Sequence, residues 1–377
     1  MKAGIYIHIP FCRSRCSYCD FATSVYEREL AERYVKALSR ELGAWGDDAG
    51  LPEIDTIYFG GGTPSMLTPK QVEAILTVVH TRFVVSDNTE VTMEMNPGSL
   101  TVETLCDFKT LGITRASFGA QTFDDRELAR LGRSHTARET RQTFGALRKA
   151  GFENISFDLI AGLPGQTVDG WRRNVDEALE LRPEHLSFYL LEVHEGTPLA
   201  EHIKLGKQPQ PDEELAARMY ELMLERSGRA GYVHYEISNL SLPGFESRHN
   251  TKYWTGAPYY GFGCSAHSYD GNLRRWANER DVKRYVEAIE SGGPAATQSW
   301  QLSERDRRAE SMFLGLRLMK GISLRQYQKT FDIDVCEKYR DDLDRFLEAG
   351  LIEIHGDFLK LTRAGALLSN EVFAAFV

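Results

Sequence analysis

Three cysteines near the amino terminus are the residues with the most evident chemistry. Cys12, Cys16 and Cys19 stand in a C-x3-C-x2-C spacing. Three thiolates on one short loop can converge on a metal centre, whereas closed zinc sites and iron–sulfur cubanes usually take four protein ligands. The spacing therefore indicates either a zinc site completed by His8 or a four-iron cluster with one iron open to another ligand.

Six predicted strands alternate with helical segments in the first half of the chain. These strands span Gly4–His8, Ile54–Phe59, Glu90–Met95, Arg115–Phe118, Asn154–Ile160 and His185–Leu190. Serial β-α units imply a parallel sheet with helical crossovers. The pattern alone leaves two arrangements open, which are a doubly wound open sheet and an incomplete (β/α) barrel.

Residues able to bind a polar ligand fall at the ends of these strands. The cysteines follow the first strand and Gly60-Gly61-Gly62-Thr63-Pro64 follows the second. Glu94 lies near the end of the third strand, Gln121 follows the fourth, and Asp158 lies late in the fifth. The carboxyl ends of parallel strands share one edge, so we expect these residues to lie together. There the bare glycine backbone could offer C=O and N–H groups to a ligand. Glu94 and Asp158 could bind ribose hydroxyls, and Arg133 could face a carboxylate.

The second half of the chain has a different pattern. A long helix is predicted over 212–229, and 232–278 is rich in glycine, aromatic residues and histidine. Helices return after Ser303, and residues 351–361 alternate around Gly356-Asp357 as a hairpin does. Helices followed by a hairpin predict a winged-helix-like α+β cap. We therefore expect a barrel over 1–205, a region over 206–300 that completes its side, and a C-terminal domain over 301–377.

Composition limits the classes of protein that fit. The formal net charge of −9 argues against a general nucleic-acid binder, which normally shows a basic face. The cysteines outside the first loop have no paired spacing, which suits a reducing cytosol rather than a disulfide framework. The sequence shows neither a signal-peptide pattern nor an apolar stretch long enough to span a bilayer. We expect a cytoplasmic protein, for which peripheral contact with the inner membrane face and a homodimer both stay open.

Several motifs together resemble the radical S-adenosylmethionine (SAM) superfamily. They are the C-x3-C-x2-C loop after I-H-I-P-F, then G-G-G-T-P, then G-L-P-G-Q-T. Within the superfamily, the chain resembles the branch of oxygen-independent coproporphyrinogen III oxidase over essentially its full length. The resemblance implies a partial (β/α)6 barrel and a [4Fe-4S] cluster on Cys12, Cys16 and Cys19, with SAM on the fourth iron. Matched positions imply a SAM pocket of Tyr6, Gly61, Gly62, Thr63, Glu94, Gln121, Arg133 and Asp158.

The resemblance to the oxidase itself breaks at two places. The oxidase has a further cysteine two residues after the third, where this chain has Phe21. It also has an N-terminal extension ahead of the barrel, whereas here the predicted first strand already begins at Gly4. In both respects the chain resembles the haem chaperones of the same branch rather than the oxidase.

A second motif supports that comparison. His249-Asn250-Thr251-Lys252-Tyr253-Trp254 matches the H-N-x-x-Y-W haem-binding signature of those chaperones. A neutral imidazole can bind haem iron, and aromatic rings can cover a porphyrin. The motif predicts His249 as the haem ligand. His267, near Cys264, is a competing candidate, although we expect both to be packed in the core.

The sequence thus predicts a haem chaperone that binds haem, a [4Fe-4S] cluster and SAM. It would deliver haem to acceptor proteins, with respiratory enzymes as the expected recipients. Two alternatives are an oxygen-independent coproporphyrinogen III oxidase and a related radical SAM methyltransferase or haem-modifying enzyme. Family chemistry reduces SAM by one electron to methionine and a 5′-deoxyadenosyl radical, and the protein supplies binding and orientation.

Overall fold

A computed structural model describes residues 1–45, 53–98 and 100–377. The strands are β1 (Ala3–Ile9), β2 (Phe11–Cys12), β3 (Ser24–Val25), β4 (Ile54–Gly61), β5 (Val85–Met95), β6 (Arg115–Gln121), β7 (Ile155–Ala161), β8 (His185–Leu190), β9 (Val233–Glu236), β10 (Asn239–Ser241), β11 (Tyr259–Phe262), β12 (His267–Tyr269), β13 (Arg274–Asn278), β14 (Ala296–Gln301), β15 (Ile322–Ser323), β16 (Ile352–His355) and β17 (Phe358–Leu361).

The α-helices surround and extend this framework. They are α1 (Arg28–Gly43), α2 (Pro69–Arg82), α3 (Val102–Thr110), α4 (Asp125–Arg130), α5 (Ala137–Lys149), α6 (Val168–Leu181), α7 (Pro198–Lys204), α8 (Glu213–Arg229), α9 (Arg248–Thr255), α10 (Val282–Glu290), α11 (Glu304–Leu316), α12 (Leu324–Phe331), α13 (Val335–Lys338), α14 (Arg340–Glu348), α15 (Arg363–Leu367) and α16 (Ser369–Ala374). A 3-10 helix spans Pro64–Met66. In the described part of the chain, no helix has the length and apolar character needed to cross a bilayer.

Strand order decides between the two predicted architectures. The strands β1, β4, β5, β6, β7 and β8 lie side by side in chain order, and each neighbouring pair is parallel. A doubly wound sheet reverses its order at a switch point, and this sheet does not. β11 occupies the outer edge of β1, and β10 occupies that of β8, so the barrel stays open. The predicted partial (β/α)6 barrel is confirmed.

Alternation along the strands creates the two faces of this sheet. Ile5 and Ile7 pack into the large hydrophobic core with the helices. Tyr6 therefore points to the opposite face, where its ring stacks on that of Tyr58 in β4 at 6.1 Å. Residues paired side by side share a face. We call this concave side, which carries Tyr6 and Tyr58, the inner face.

The sheet continues beyond the barrel on both sides. β11 pairs in parallel with β1, and β12, β13 and β14 follow as antiparallel strands. On the far edge, β10 and β9 add to β8 antiparallel. These strands come from residues 233–301, so the second half of the chain widens the sheet as well as flanking it.

The C-terminal residues build a smaller α+β unit. β15, β17 and β16 form a three-stranded sheet, and β16 and β17 are the predicted hairpin. A separate hydrophobic core, which includes Met312, Phe346 and Leu359, joins this sheet to its helices. The predicted winged-helix-like cap is confirmed as part of the fold class. The division at 205/206 and 300/301 stays a prediction.

Candidate functional site

Backbone hydrogen bonds hold the cysteine loop at the carboxyl edge of the barrel. Ser24 N donates to Pro10 O at 2.8 Å and Tyr26 N to Cys12 O at 2.9 Å, which closes the loop on itself. Ser17 N donates to Leu131 O at 3.0 Å, so the end of α4 also holds the loop. All three cysteines are free thiols of intermediate exposure. The loop is therefore fixed in place while its sulfur atoms stay reachable.

Two side chains donate hydrogen bonds to the sulfur atoms. The Thr63 hydroxyl lies 3.6 Å from Cys12 Sγ, and the Arg133 guanidinium lies 3.5 Å from Cys16 Sγ. Asn96 joins these donors, since its amide nitrogen donates to Thr63 at 2.9 Å and its oxygen accepts from Arg133 at 2.9 Å. Such donors stabilise thiolate ligands and tune the centre that they hold. Asn96 was not among the predicted site residues, although its place after the third strand was a signal that could have found it.

The donor set fits a four-iron cluster better than a zinc ion. Both ring nitrogens of His8 have other partners, with Tyr6 OH at 3.1 Å and Ala22 O at 3.0 Å. Within residues 1–45, 53–98 and 100–377, no three His, Cys, Asp or Glu side chains converge closely enough to hold a single metal ion. A cubane takes one thiolate per iron and needs no such convergence. A cluster would be held by Cys12, Cys16 and Cys19.

The triple-glycine turn lies directly against the cysteine loop. Gly62 N donates to Ile9 O and Thr63 N to Phe11 O, both at 2.8 Å. A methyl group on Gly62 would come within 2.8 Å of Phe11 O, so only glycine allows this approach. Gly61 N donates to Glu94 at 3.0 Å. The expectation that these N–H groups are offered to a ligand is wrong, because the protein itself uses them. The expectation for the carbonyl groups of the turn stays a prediction.

Glu94 lies on the inner face with two donors on its carboxylate. Tyr58 OH donates to Oε1 at 2.8 Å, and Gly61 N donates to Oε2. Burial raises the pKa of Glu94 to about 7 in spite of these donors, and the charge of Asp158 raises it further. Glu94 therefore changes its charge close to neutral pH.

Asp158 and Tyr189 line the inner face across from Glu94. Burial raises the pKa of Asp158, whereas a hydrogen bond from Ser187 lowers it. Tyr189 is 43% exposed although it belongs to an inner strand of the sheet, so the barrel encloses open space at this level. Arg115 lies on the same face, fully buried, and its charge lowers the pKa of both carboxyl groups. The inner wall is polar and ionisable, as a pocket for a polar ligand would be.

Gln121 closes the edge of the pocket next to Arg133. Its backbone has φ = 63°, a left-handed conformation that costs a non-glycine residue on the order of 1 kcal/mol or more. A bulge between Gly119 and Gln121 produces this turn. Arg133 donates to Gly119 O at 2.9 Å, and glycine leaves the room that the Gln121 amide occupies. Contacts or charge interactions thus link Tyr6, Gly61, Gly62, Thr63, Glu94, Gln121, Arg133 and Asp158 in one wall beside the cysteines.

His249 lies at the opposite, amino-terminal end of the barrel. It is 1% exposed, and its ring nitrogens lie 2.9 Å from Thr56 Oγ1 and 2.9 Å from Tyr253 OH. Its ring packs on that of Tyr58, with centroids 5.1 Å apart. Burial lowers the pKa of His249 to about 3, with smaller effects from Lys252 and Arg115, so the imidazole is neutral. In this conformation no haem iron can reach it.

The aromatic residues of the same motif also have internal partners. Tyr253 packs edge-on against Tyr259 at 4.6 Å. Trp254 lies under the guanidinium of Arg317, 4.2 Å from its ring centroid, at the end of α11. The expectation that these rings are free to cover a porphyrin is wrong in the conformation described, because they attach α9 to β11 and to the C-terminal unit.

This partial barrel with three thiols at its carboxyl edge defines a radical SAM protein. The profile of the Radical SAM superfamily matches residues 6–178, and that of the HemN C-terminal domain matches residues 302–368. The solved structure described as coproporphyrinogen III oxidase (HemN) from Escherichia coli superposes with a TM-score of 0.85 over 100% of this chain and 90% of that one. Its sequence identity is 21%, so the likeness extends to the fold alone.

Sequence relatives narrow the class further. The chain is 36% identical to "Heme chaperone HemW" of Bacillus subtilis over 100% of this chain and 99% of that protein. It is 39% identical to the Synechocystis protein of the same name, over 86% of this chain and 80% of that protein. The "Radical S-adenosyl methionine domain-containing protein 1, mitochondrial" of Bos taurus is 33% identical over 87% and 76% of the two chains. The chain belongs to the HemW family of the radical SAM superfamily, which implies a [4Fe-4S] cluster and SAM.

Proposed function

We propose that the chain is a haem chaperone that uses Cys12, Cys16 and Cys19 to hold a [4Fe-4S] cluster. The observation that carries this proposal is full-length similarity to relatives named heme chaperones, at 36% identity over the whole chain. The fixed loop and its two sulfur donors support the cluster. Bound together, the cluster and SAM supply radical chemistry in this superfamily. Here we assign them to the regulation of haem transfer or of dimer formation.

The proposed SAM pocket is the wall of eight residues described above. Glu94 and Asp158 would accept hydrogen bonds from the ribose. Thr63 and Arg133 border both the cysteines and the pocket, so they would orient the end of SAM nearest the cluster. The glycine turn would present carbonyl oxygens to an ammonium group. This distribution of charges supports a zwitterionic ligand, since it offers both carboxylates and a guanidinium.

Phe21 supports a carrier rather than an oxidase. It occupies the position at which the oxidase carries a further cysteine, and it is 63% exposed beside the proposed cluster. An apolar ring there supplies neither a thiol nor a proton. The chain's own residues would then bind haem and leave the porphyrin unchanged.

Haem would pass from this chain to acceptor proteins, for which we propose respiratory enzymes. We place the protein in the cytoplasm, with transfer occurring at the inner membrane face. His249 stays a predicted ligand of the haem iron, but its ring nitrogens are hydrogen-bonded to Thr56 and Tyr253. Release of α9 would have to precede any bond from His249 to iron.

The test uses the full-length protein after anaerobic reconstitution of the cluster. Haem and coproporphyrinogen III are supplied in separate incubations with SAM and a reductant. We expect one haem bound per chain, with an unchanged porphyrin on extraction, and no protoporphyrinogen. Protoporphyrinogen formed over many turnovers would make the chain an oxidase, and loss or methylation of the porphyrin would make it a haem-modifying enzyme. The Cys12→Ala variant is the control, since it should lose the cluster spectrum.

A further inference from the structure

His267 occupies a part of the sheet that the proposed SAM and cluster sites do not use. It begins β12, in the antiparallel extension beside β1. Tyr6 pairs with Gly261 of β11, and Tyr259 of β11 pairs with Tyr269 of β12. Alternation places His267 on the same face as Tyr269, which is the inner face. Because β11 runs parallel to β1, His267 lies toward the carboxyl edge, where the cysteine loop is.

Two contacts connect this region with the cysteine loop. A methyl group on Gly263 would come within 2.7 Å of His8 O, so the turn before His267 lies against the end of β1. Arg280 donates to Asp20 O at 3.4 Å. Ser265 N donates to Glu279 O at 2.8 Å, which ties the turn to the loop that carries Arg280. His267 therefore stands near the mouth of the barrel, on the side of the proposed cluster.

The imidazole of His267 is open to a ligand. The residue is exposed, and within the described ranges no hydrogen bond or ion pair occupies its ring nitrogens. Partial burial lowers the pKa of His267, and the charge of Arg275 lowers it further. The ring is thus neutral at physiological pH, which is the form that binds a metal ion. His249 differs in both respects that matter for access, since it is buried and bonded at both nitrogens.

The surroundings of His267 suit a flat, partly apolar ligand. Trp300 of β14 lies beside it, with ring centroids 6.4 Å apart and an interplanar angle of 74°, and is 38% exposed. On the inner face His267 pairs with Ala277, whose side chain is small. The exposed Arg280 adds a positive charge at the same end of the sheet. The Trp300 ring and the small side chain of Ala277 leave room for the flat porphyrin ring, and the charge of Arg280 suits its carboxylate substituents.

We infer that His267 is the side chain that binds the iron of haem in this conformation, with Trp300 against one edge of the porphyrin. This inference rests on the proposed function, because it names the ligand for the haem that the chain would carry. It requires no movement of α9. It also places the haem beside the cysteine loop, where the state of the cluster could affect its release.

Resonance Raman spectra of the ferrous haem complex test the inference, together with haem titrations followed by difference absorbance against haem-free protein. The full-length, cluster-loaded chain is compared with His267→Ala, His249→Gln and His80→Ala. His80 is an exposed histidine on α2 and serves as the matched control. We expect His267→Ala to lose the iron–imidazole stretching band and at least tenfold in affinity. The other two variants should keep the band.

A further variant guards against a trivial loss of structure. Imidazole added to His267→Gly should restore the iron–imidazole band on haem that co-elutes with the chain in gel filtration, whereas imidazole bound to free haem would not co-elute. A band and an affinity in His267→Ala within twofold of the unmodified chain would overturn the inference. So would a band that disappears only in His249→Gln. If the unmodified chain binds no stoichiometric haem, the proposed function itself fails, and that outcome is distinct from both.

Discussion

Lowering the pH from 8 to 6 should weaken SAM binding about tenfold through the titration of Glu94. Its pKa is raised to about 7, chiefly by burial. A carboxylate accepts hydrogen bonds from two ribose hydroxyls, whereas a protonated acid has to donate one of its bonds. The carboxylate fraction is about 0.9 at pH 8 and about 0.1 at pH 6, and the apparent dissociation constant scales inversely with that fraction.

SAM binding should release protons, because the pKa of Glu94 is raised in the free protein. Glu94 holds a proton in the free protein up to about pH 7, and the bound ribose favours the charged form. SAM binding at pH 7 should therefore release about half a proton from this group. Isothermal titration of the cluster-loaded protein, repeated in buffers of different ionisation enthalpy, measures both the affinity and the proton release.

Two variants separate Glu94 from other titrating groups. Glu94→Gln should bind SAM more weakly and with a flat profile between pH 6 and 8. Asp158→Asn should move the midpoint of the profile to lower pH, because the charge of Asp158 raises the pKa of Glu94. A flat profile in the unmodified chain, or unchanged affinity in Glu94→Gln, would refute the reasoning.

Three other predictions concern the supports of the site. Gly62→Ala should lower the iron bound per chain after reconstitution, because the new methyl group meets the backbone of the cysteine loop; Gly145→Ala, in open space on a helix, should leave iron content unchanged. Arg133→Gln should lose the cluster faster than the unmodified chain in a chelator chase, since the hydrogen bond from Arg133 to Cys16 Sγ is removed. Equal rates of cluster loss in the two proteins would contradict this. Tyr285→Phe removes a donor from Glu41, whose pKa burial raises to about 6. Chemical denaturation should show a loss of about 1.5–3 kcal/mol that is larger at pH 8 than at pH 5, where Glu41 is protonated, and a loss independent of pH would refute it.

Local sequence signals were sufficient for the barrel elements. α2 starts with Thr68 as its N-cap and Pro69 at its first position. The structure adds a capping box, since the Thr68 hydroxyl accepts from Gln71 N and the Gln71 side chain accepts from Thr68 N. Apolar runs ending in glycine or asparagine gave the positions of the parallel strands to within a few residues. These features depend on neighbours in the chain, so the sequence displays them directly.

The pairing of strands that are far apart in the chain could not be predicted from such local signals. Nothing local to residues 259–262 indicates that this strand pairs with β1, and that pairing places β12 on the inner face. The surroundings of His267 depend on this strand pairing. His267 was expected in the core and is exposed, whereas His249, expected to meet haem, is buried at the other end of the barrel. Cys264 was expected in the core, and it is buried there against Tyr34.

The central claim is that the chain carries haem and hands it over intact. The most direct measurement mixes the haem-loaded, cluster-containing protein with a membrane fraction that holds a haem-depleted respiratory enzyme, and follows haem by stopped-flow absorbance. We predict a transfer rate that rises with acceptor concentration, and an unmodified porphyrin recovered in the acceptor. A rate that is independent of acceptor concentration and equal to spontaneous release, or a porphyrin altered in the process, would contradict the account.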